Sequence, residues 1–288
     1  MFDAYRNRIE SEIQAAISAL GEKTKLRDAC EYALKSGGKR LRPLFVVMIS
    51  NALGHGLDAI QSALSVEFFH TASLIADDLP CMDNDDERRA RPSLHRVFGE
   101  SVALLASYTF IACGYEGIYK NGQRMKADLR FSKSADAATI ACLEIATRCA
   151  GIKGATNGQF LDLFPPDTTL QTIQKIIAQK TVTLFQISFV FGWLFGGGEA
   201  ALLKKVEDTA YHLGMAFQIA DDLHDERQDA AHRCEINIAA ALGTSRALAF
   251  FEEEMTKFEA GLQELGIWNG DFEQAAGYLR GLIPAVIN

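Results

Sequence analysis

Two clusters of acidic residues dominate the chemistry that this sequence offers. Residues 77–89, DDLPCMDNDDERR, contain five aspartates and one glutamate, and residues 217–226, FQIADDLHDE, contain three aspartates and one glutamate. Two carboxylates about 4 Å apart repel by roughly 4 kcal/mol at an effective dielectric near 20, so such clusters protonate, stay hydrated or bind cations. Each cluster alone fits a solvated helix end, but both follow strongly apolar runs. We therefore predict divalent cations, and Mg²⁺ suits the clusters best because it combines a few carboxylates with water and phosphate oxygens.

Basic residues accompany the first acidic cluster. Arg88 and Arg89 follow the aspartates directly, and arginine binds phosphate in a two-pronged geometry. In SGGKRLRP, two glycines precede Lys39, Arg40 and Arg42, and the proline suits the first turn of a helix. A Gly-Gly-basic turn is also common in surface loops, but here it places cations at a helix N-terminus, which favours anions. Together these residues predict a ligand that carries several negative charges.

The elements that position these groups are predicted to be helices. Apolar residues recur at spacings of three and four in VEFFHTASLIADD, ADAATIACLEIATRCAG and VEDTAYHLGMAFQIADDL. On such helices His70 lies on the same face as Asp77, roughly 10 Å away, and Asp221 lies one turn before Asp225, with Asp222 alongside. The fold class is therefore all-α, a bundle whose central helices are covered on most sides.

Composition limits the organisation and the partners of the protein. The chain of 288 residues is 48% hydrophobic, and we find no linker or repeat, so we expect a single domain, 1–288. A net charge of −8 disfavours nucleic acid. The six cysteines form no C-x-x-C pair and are expected to be buried. The N-terminal segment predicts an amphipathic helix rather than a signal peptide, which indicates a cytoplasmic protein.

One uncharged stretch resembles a membrane span. Residues 181–198, TVTLFQISFVFGWLFGGG, contain no charge, but they include four glycines, two threonines, a glutamine and a serine. Eighteen residues are also at the lower limit of a span. We therefore expect a buried core helix and no stable membrane insertion.

Five motifs together resemble one family. GGKRLRP, DDLPCMDNDDERR, NGQFLDL, QKT and FQIADDLHD occur in the order and spacing of the trans-polyprenyl diphosphate synthases, from about residue 30 to residue 225. The first aspartate motif is most similar to that of plant-type geranylgeranyl diphosphate synthases. The resemblance implies the isoprenoid synthase type of helical bundle around a central apolar channel, usually a homodimer, with the aspartate motifs facing each other across the channel.

The resemblance also implies an activity. Such enzymes use Mg²⁺ to ionise an allylic diphosphate (dimethylallyl, geranyl or farnesyl), condense the cation with isopentenyl diphosphate, and lose a proton to give a chain five carbons longer. The implied metal ligands are Asp77, Asp83, Asp221 and Asp225, with Asp78 in support. The implied contacts of isopentenyl diphosphate are Lys39, Arg42, His70 and Arg89. Arg88 and Lys180 match contacts of the allylic diphosphate, and Thr181 and Gln218 match groups near the reacting carbons.

Product length is predicted from the helix before the first motif. Ser73 lies one turn before Asp77 on the same face, and by resemblance Ala72 lines the channel at a position where farnesyl-producing bacterial relatives carry an aromatic ring. Both residues are small. Phe69 is the nearest bulky residue that could form the floor of the channel, that is, stop the growing chain. We therefore expect geranylgeranyl diphosphate, a C20 product. The alternative is that these small residues only allow two helices to pack closely and do not set the product length.

Three features depart from the family pattern. Ser107 and Tyr108 stand where the family has a Gly-Asp pair, and Ala90 replaces a glycine. Residues 206–256 contain no lysine, although a family lysine there contacts the allylic diphosphate. The candidate basic substitutes are Arg227, His232 and Arg233.

These departures leave other functions open. A farnesyl diphosphate synthase and a weakly active or non-catalytic partner subunit share the fold, although partner subunits tend to lose the aspartate motifs. A phosphohydrolase would use His224-Asp225, but the six histidines give no further ligands at metal spacing. A terpene cyclase would not need Lys39, Arg42 and His70.

Overall fold

The computed structural model describes residues 2–225 and 236–283, and these ranges are mostly helical. In chain order the helices are α1 (Phe2–Ser18), α2 (Lys25–Leu34), α3 (Leu41–Ala52), α4 (Ile60–Asp77), α5 (Leu94–Phe98), α6 (Glu100–Ala127), α7 (Ser132–Ala150), α8 (Ala155–Leu163), α9 (Leu170–Ile177), α10 (Thr183–Phe195), α11 (Leu203–Asp225), α12 (Ile238–Leu242), α13 (Thr244–Glu264) and α14 (Gly270–Leu282). A π-helical turn, Ala178–Val182, joins α9 to α10, and a 3₁₀ turn, Ala200–Leu202, precedes α11. The all-α prediction is confirmed.

The described residues form two compact units. The first comprises residues 2–143 and 191–197, and the second comprises the described parts of 144–190 and 198–283. The helices α7 and α10 have residues in both units. The single domain 1–288 and the central apolar channel stay predictions.

The first unit is built around a close pair of helices, α4 and α6. A side chain at Gly114 of α6 would overlap the ring of Phe69 on α4, so this position needs glycine. Nearer the end of α4, the Ser107 hydroxyl donates a hydrogen bond of 2.9 Å to the carbonyl of Ala72. Small residues on α6 thus let the two backbones approach closely, and this fixes the end of α4 that carries the first acidic motif.

A short hairpin begins within the last residues of that motif. Strands β1 (Glu87–Arg88) and β2 (Arg91–Pro92) pair antiparallel, and the two residues between them, Arg89 and Ala90, have φ angles of 56° and 57°. Two consecutive positive φ angles are typical of a type I′ turn, which favours glycine or asparagine. The glycine of the family pattern therefore has a physical reason, and alanine at this position costs roughly 1–2 kcal/mol.

Aromatic and polar contacts hold the hairpin against α2. The Tyr32 hydroxyl donates a hydrogen bond of 2.8 Å to the carbonyl of Pro92, and the Arg91 guanidinium lies 4.2 Å from the centre of the Tyr32 ring. Arg91 also donates to the carbonyl of Lys35 at 3.1 Å. These contacts orient the hairpin that carries Arg88.

The N-terminal helix and the uncharged stretch near residue 190 are packed as the sequence predicts. Helix α1 buries Ile9, Ile13 and Ile17, which confirms an amphipathic N-terminal helix. Helix α10 has 13 residues and is largely buried, as a core helix requires. Within the described ranges only α6 is long and apolar enough to cross a membrane by length and composition, and 39% of its most apolar window is buried. The absence of membrane insertion stays a prediction.

The prediction for the cysteines was wrong at one position. Cys30, Cys142 and Cys149 are buried, and burial raises the pKa of the Cys30 thiol to about 11. Cys113 is half-buried, but Cys81 is exposed, because it lies in the loop after α4 instead of on a helix. The sixth cysteine, Cys234, lies outside the described residues.

Candidate active site

The first acidic motif begins at the end of α4 and folds back on itself. Asp77 is the last residue of this helix, and its carbonyl accepts a hydrogen bond of 2.9 Å from the backbone N–H of Asp83. Two more backbone bonds, from Met82 and Asn84 to the carbonyl of Leu79, close the same loop at 2.8 and 3.1 Å. Two predicted metal ligands that are six positions apart in sequence therefore lie next to each other.

Asp78 is buried, whereas Asp77 is half-buried and Asp83 is exposed. Asp78 is 3% exposed, and its Oδ1 accepts a hydrogen bond of 2.9 Å from Nε of Arg88 and a second bond from Nη2. Arg88 also donates to Asp85 at 2.8 Å. Burial raises the pKa of Asp78, although the Arg88 charge opposes this. Asp78 thus joins the end of α4 to the hairpin.

Three segments bring basic residues together in the first unit. Nη1 of Arg42, on α3, lies 3.4 Å from Nε2 of His70 on α4. Arg89, in the hairpin turn, donates to the carbonyl of Gly37, and a side chain at Gly38 would overlap its guanidinium group. The positive charges of both Arg42 and Arg89 act on His70. Three of the four residues predicted to bind isopentenyl diphosphate therefore lie near one another, although they come from different parts of the sequence.

The fourth predicted residue, Lys39, is exposed beside this cluster. It follows Gly38 directly and precedes Arg40, which is buried. Arg40 was predicted to be another cation of the anion site, and this was wrong: its guanidinium is bonded to Glu10 and Glu67. Lys39 and Arg42 thus lie on either side of a buried arginine.

His70 is held in its neutral form by its surroundings. Burial and the positive charges of Arg42 and Arg89 lower the pKa of His70 well below its ordinary value of 6.5. An arginine can only donate hydrogen bonds, so Nε2 of His70 is the acceptor and Nδ1 carries the proton. Nδ1 is buried and has no hydrogen-bond partner among the described residues. The ring therefore offers one donor to a ligand.

In the second unit, the π-helical turn presents Lys180 and Thr181. Nζ of Lys180 forms an ion pair of 2.5 Å with Asp162, which belongs to the NGQFLDL motif on α8. A side chain at Gly158 would overlap the backbone of Lys180, so the glycine of this motif allows α8 to approach the turn. Single π-helical turns within α-helices are frequent at functional sites.

A chain of polar contacts leads from this turn to α11 and α12. The Thr181 hydroxyl donates to Oε1 of Gln218 at 2.8 Å, and Nε2 of Gln218 donates to Oδ1 of Asp222 at 2.8 Å. The other oxygen of Asp222, which is 8% exposed, accepts a bond of 2.7 Å from the backbone N–H of Ile238. The sequence could not show that Asp222 orients Gln218, because neighbouring aspartates in a motif look equivalent.

The two predicted metal ligands of the second motif lie on the last turns of α11. Asp221 is half-buried, and Asp225 is the final residue of the helix. The side chain of Asp225 lies outside the described residues, as do Arg227, His232 and Arg233, the basic substitutes suggested above.

The donors present suit Mg²⁺ in type. Asp77 and Asp83 offer only oxygen atoms, which this hard cation prefers. Among the described residues, however, no group of three histidine, cysteine or acidic side chains is close enough to hold a metal ion by itself. A bound ion would therefore need water and ligand oxygens as well, so the metal roles of Asp77, Asp78, Asp83, Asp221 and Asp225 stay predictions.

The residues predicted to set the product length, Phe69, Ala72 and Ser73, all lie on α4 but have different neighbours. Ala72 is 3% exposed, and the Ser73 hydroxyl donates to the carbonyl of His70 at 2.9 Å. Phe69 is 8% exposed and meets the ring of Tyr115 edge-on, with ring centres 5.2 Å apart. The sequence pattern identified Ser107 only as a departure, whereas the structure places it against the Ala72 backbone. The floor itself stays a prediction.

The sequence is similar to a family model and to plant and bacterial proteins. A sequence model of a family described as polyprenyl synthetase matches residues 23–234. Geranylgeranyl pyrophosphate synthase 4 of Arabidopsis thaliana is 38% identical over 212 residues, 71% of this chain and 54% of the plant protein. A farnesyl diphosphate synthase of Geobacillus stearothermophilus is 35% identical over 224 residues, 76% of this chain and 72% of the bacterial protein. The chain spans between 54% and 63% of the length of four plant relatives.

Solved structures are similar over nearly the whole chain. A geranyltransferase from Legionella pneumophila has a TM-score of 0.83 at 26% identity and covers 97% of this chain, which in turn covers 95% of that structure. A geranyltranstransferase from Thermotoga maritima has a TM-score of 0.75 at 26% identity, with coverage of 98% and 97%. The segment matched by the family model includes both acidic motifs and the basic loop.

Proposed function

The chain belongs to the polyprenyl synthetase family, and we propose that it is a Mg²⁺-dependent prenyltransferase. It condenses isopentenyl diphosphate with an allylic diphosphate (dimethylallyl, geranyl or farnesyl) to give a longer trans-prenyl diphosphate. The main support is that three segments bring the basic groups of Arg42, His70 and Arg89 near one another: Arg42 lies against His70, and the charge of Arg89 acts on His70. A terpene cyclase would have no use for this second diphosphate site.

The basic cluster binds the diphosphate that stays attached to its substrate. Arg42 and Arg89 provide guanidinium groups that match phosphate oxygens in geometry. Nδ1 of His70 provides a neutral donor, which is buried and without a partner among the described residues. Because Lys39 is exposed beside them, it reaches the same diphosphate from the solvent side. These residues hold isopentenyl diphosphate in place while its double bond reacts.

The acidic residues act on the diphosphate that leaves. Asp77 and Asp83 of the first motif and Asp221 and Asp225 of the second are the proposed Mg²⁺ ligands, and Asp78 supports the first pair through Arg88. When bound, Mg²⁺ neutralises the charge that gathers on the leaving diphosphate. Arg88 and Lys180, held by Asp78 and Asp162 in this structure, are proposed to shift to the allylic diphosphate. The released diphosphate then accepts the proton whose loss completes the reaction.

Thr181 and Gln218 are proposed to act near the reacting carbons. Gln218 is fixed between the Thr181 hydroxyl and Asp222, so its amide dipole has one orientation. A preorganised dipole stabilises developing charge without a reorganisation cost at the moment of reaction. Its effect is therefore on the rate of the chemical step.

We propose geranylgeranyl diphosphate as the product and farnesyl diphosphate as the alternative. The small side chains of Ala72 and Ser73 support the longer product, because neither would obstruct a chain that grows along α4. The relatives named above include both a geranylgeranyl and a farnesyl synthase, so similarity alone does not choose between them.

We also propose that the protein is a homodimer, with α6 in the interface. One stripe of this helix exposes apolar residues at spacings of three and four, and Tyr108 and Ile111 within it are 58% and 40% exposed. The stripe consists of Leu104, Tyr108, Ile111 and Tyr119, which are exposed, and Tyr115, which is half-buried. A second copy would cover this stripe and account for the apolar character of α6 without a membrane. A cytoplasmic location stays a prediction from the N-terminal segment, and the absence of a nucleic-acid partner stays a prediction from the net charge.

One assay tests the proposed function. The full chain is incubated with Mg²⁺, isopentenyl diphosphate and each allylic primer in turn, and the products are separated by chromatography. We expect elongated prenyl diphosphates that disappear when EDTA is added. Cyclised hydrocarbons from an allylic diphosphate alone, or no product with any primer, would overturn the proposal, and the second result would favour a non-catalytic partner subunit.

A further inference from the structure

Arg40 lies in the middle of the basic loop and yet faces the protein interior. It is 4% exposed, although Lys39 on one side is exposed and Arg42 on the other is half-buried. Its Nε donates to Glu10 on α1 at 2.7 Å, its Nη2 donates to the carbonyl of Leu34 at 2.7 Å, and its Nη1 is bonded to Glu67 on α4. One guanidinium group therefore connects α1, the end of α2 and α4.

The backbone of Arg40 has an uncommon conformation. Its φ angle is 51°, and it precedes the first residue of α3. A left-handed conformation is unfavourable for any residue with a Cβ atom, and it persists only where the surrounding structure holds it. Here the three bonds of the guanidinium group provide that hold. The turn separates Lys39 from Arg42 and determines where each side chain begins.

Glu67 makes this arrangement specific. It is 1% exposed and lies three residues before His70 on α4, that is, about one helical turn away. A buried carboxylate next to a buried guanidinium fixes the distance between the basic loop and α4, because neither charge tolerates separation in a dry site. The same loop and the same helix carry Arg42 and His70, which are 3.4 Å apart.

We propose that Arg40 is a positioning residue that, through Glu67 and Glu10, holds Lys39 and Arg42 at the spacing needed to bind the diphosphate of isopentenyl diphosphate. This inference rests on the proposed function, because the substrate is named by it. Arg40 does not touch the substrate, since its donors are directed to protein oxygens. Glu10 belongs to α1, which precedes the matched family segment 23–234. A helix outside that segment therefore contributes to the substrate site.

The test separates positioning from stability. Arg40→Met alone leaves Glu67 buried and unpaired, so this variant is expected to unfold easily. The double variant Arg40→Met with Glu67→Leu replaces the pair by apolar side chains, an exchange that often preserves or raises stability. Arg40→Lys keeps the positive charge but loses the two-pronged guanidinium group. Glu10→Gln weakens only the contact with Glu10, the carboxylate that is partly exposed. Arg130→Met, which loses an exposed arginine of the same unit, is the matched control.

Two readouts are used. Steady-state kinetics give kcat and the KM for each substrate, and calorimetry measures binding of isopentenyl diphosphate alone, which does not depend on turnover. For the double variant we expect an unfolding temperature near that of the wild type, with a KM for isopentenyl diphosphate and a calorimetric Kd raised about tenfold or more. The KM for the allylic primer should change little, Arg40→Lys should be intermediate, and Glu10→Gln should show the smallest effect.

The outcomes distinguish this inference from the proposed function. A double variant that is stable and binds isopentenyl diphosphate like the wild type would overturn the positioning role. Equal losses for both substrates would also overturn it, because they indicate a general disturbance. A wild type that binds isopentenyl diphosphate but forms no product would overturn the proposed function, and a Kd raised in the double variant would then still support the role of Arg40.

Discussion

The backbone N–H of Asp83 donates to the carbonyl of Asp77 at 2.9 Å, so the loop after α4 brings two separated aspartates together. If both hold Mg²⁺ on the leaving diphosphate, Asp77→Ala should lower kcat on the order of 100-fold, because charge is stabilised as the bond breaks. Asp221→Ala should act in the same way. Steady-state kinetics at saturating substrates provide the measurement, and EDTA should abolish turnover.

Asp86 provides the control for this prediction. It belongs to the same acidic motif but pairs with Arg96 and has no assigned ligand role. Asp86→Ala should therefore retain most of the wild-type kcat. Near-native kcat in Asp77→Ala or Asp221→Ala would contradict the metal assignment of that residue.

The basic cluster predicts a selective effect on one substrate. Lys39→Ala and His70→Ala should raise the KM for isopentenyl diphosphate at least about tenfold, because each loses a hydrogen bond to a charged group. The KM for the allylic primer should change much less. His55→Ala, which alters an exposed histidine of the same unit, is the control. Equal effects on both substrates would show that the two diphosphate sites have been assigned wrongly.

The environment of His70 predicts a dependence of stability on pH. The pKa of His70 is lowered in the folded protein from an ordinary value of 6.5, so the unfolded state binds more protons as the pH falls below that value. The free energy of unfolding should therefore decrease as the pH is lowered from 7 to 5, by at most about 1.4 kcal/mol per pH unit. Urea unfolding at several pH values measures this slope.

A variant isolates this contribution. His70→Gln removes the titrating group, so its free energy of unfolding should fall less steeply with decreasing pH than that of the wild type. Glu254 does not interfere in this range. Burial alone would raise its pKa, but hydrogen bonds from His212 and Lys257 lower it below 4.5, so its contribution is lost only at more acidic pH. Identical slopes in both proteins would show that His70 is not held neutral.

The chain-length residues predict a change of product. Ala72→Tyr should shorten the product toward C15, because a ring at this position would obstruct a chain that grows along α4. Phe69→Ala should lengthen the product. It should also destabilise the protein by about 3–5 kcal/mol, since the ring packs on α6 over Gly114. Chromatography of the products and thermal unfolding are measured together.

Phe68→Ala is the matched control for Phe69→Ala. Phe68 is the neighbouring residue on α4, is 7% exposed, and stacks on Phe110 with ring centres 5.9 Å apart. Its replacement should cost similar stability without changing the product. An unchanged product from Ala72→Tyr, or the same lengthening from both phenylalanine variants, would show that the floor lies elsewhere.

The exposed stripe of α6 predicts the oligomeric state. The wild type should have the molar mass of a dimer in light scattering. A variant with Tyr108→Lys and Ile111→Lys should be a monomer at micromolar concentration, because buried charges of the same sign would face each other in the interface. Gln123→Lys changes an exposed residue near the end of the same helix and should remain a dimer. A monomeric wild type would refute the prediction.

Residue patterns along the chain were enough to predict the helical class of the fold, the order of the motifs and the family. Apolar residues at spacings of three and four predict helices because the periodicity is local, and this holds for α1, α4 and α11. Comparison with the family pattern also identified Ala90 and Ser107 as departures. Cation and diphosphate chemistry could be predicted because both acidic clusters follow apolar runs and because arginines follow the first cluster directly.

The partner of each charged side chain, in contrast, could be identified only in the folded protein. Lys39, Arg40 and Arg42 are all basic and nearly adjacent, yet Arg40 alone is buried, because Glu67 and Glu10 approach it from α4 and α1. In the same way Asp78 faces Arg88, while Asp77 lies beside Asp83. These pairings depend on contacts between residues that are far apart in the chain. A local pattern carries no information about which helices pack together, so the partner of each charge follows only from the folded arrangement.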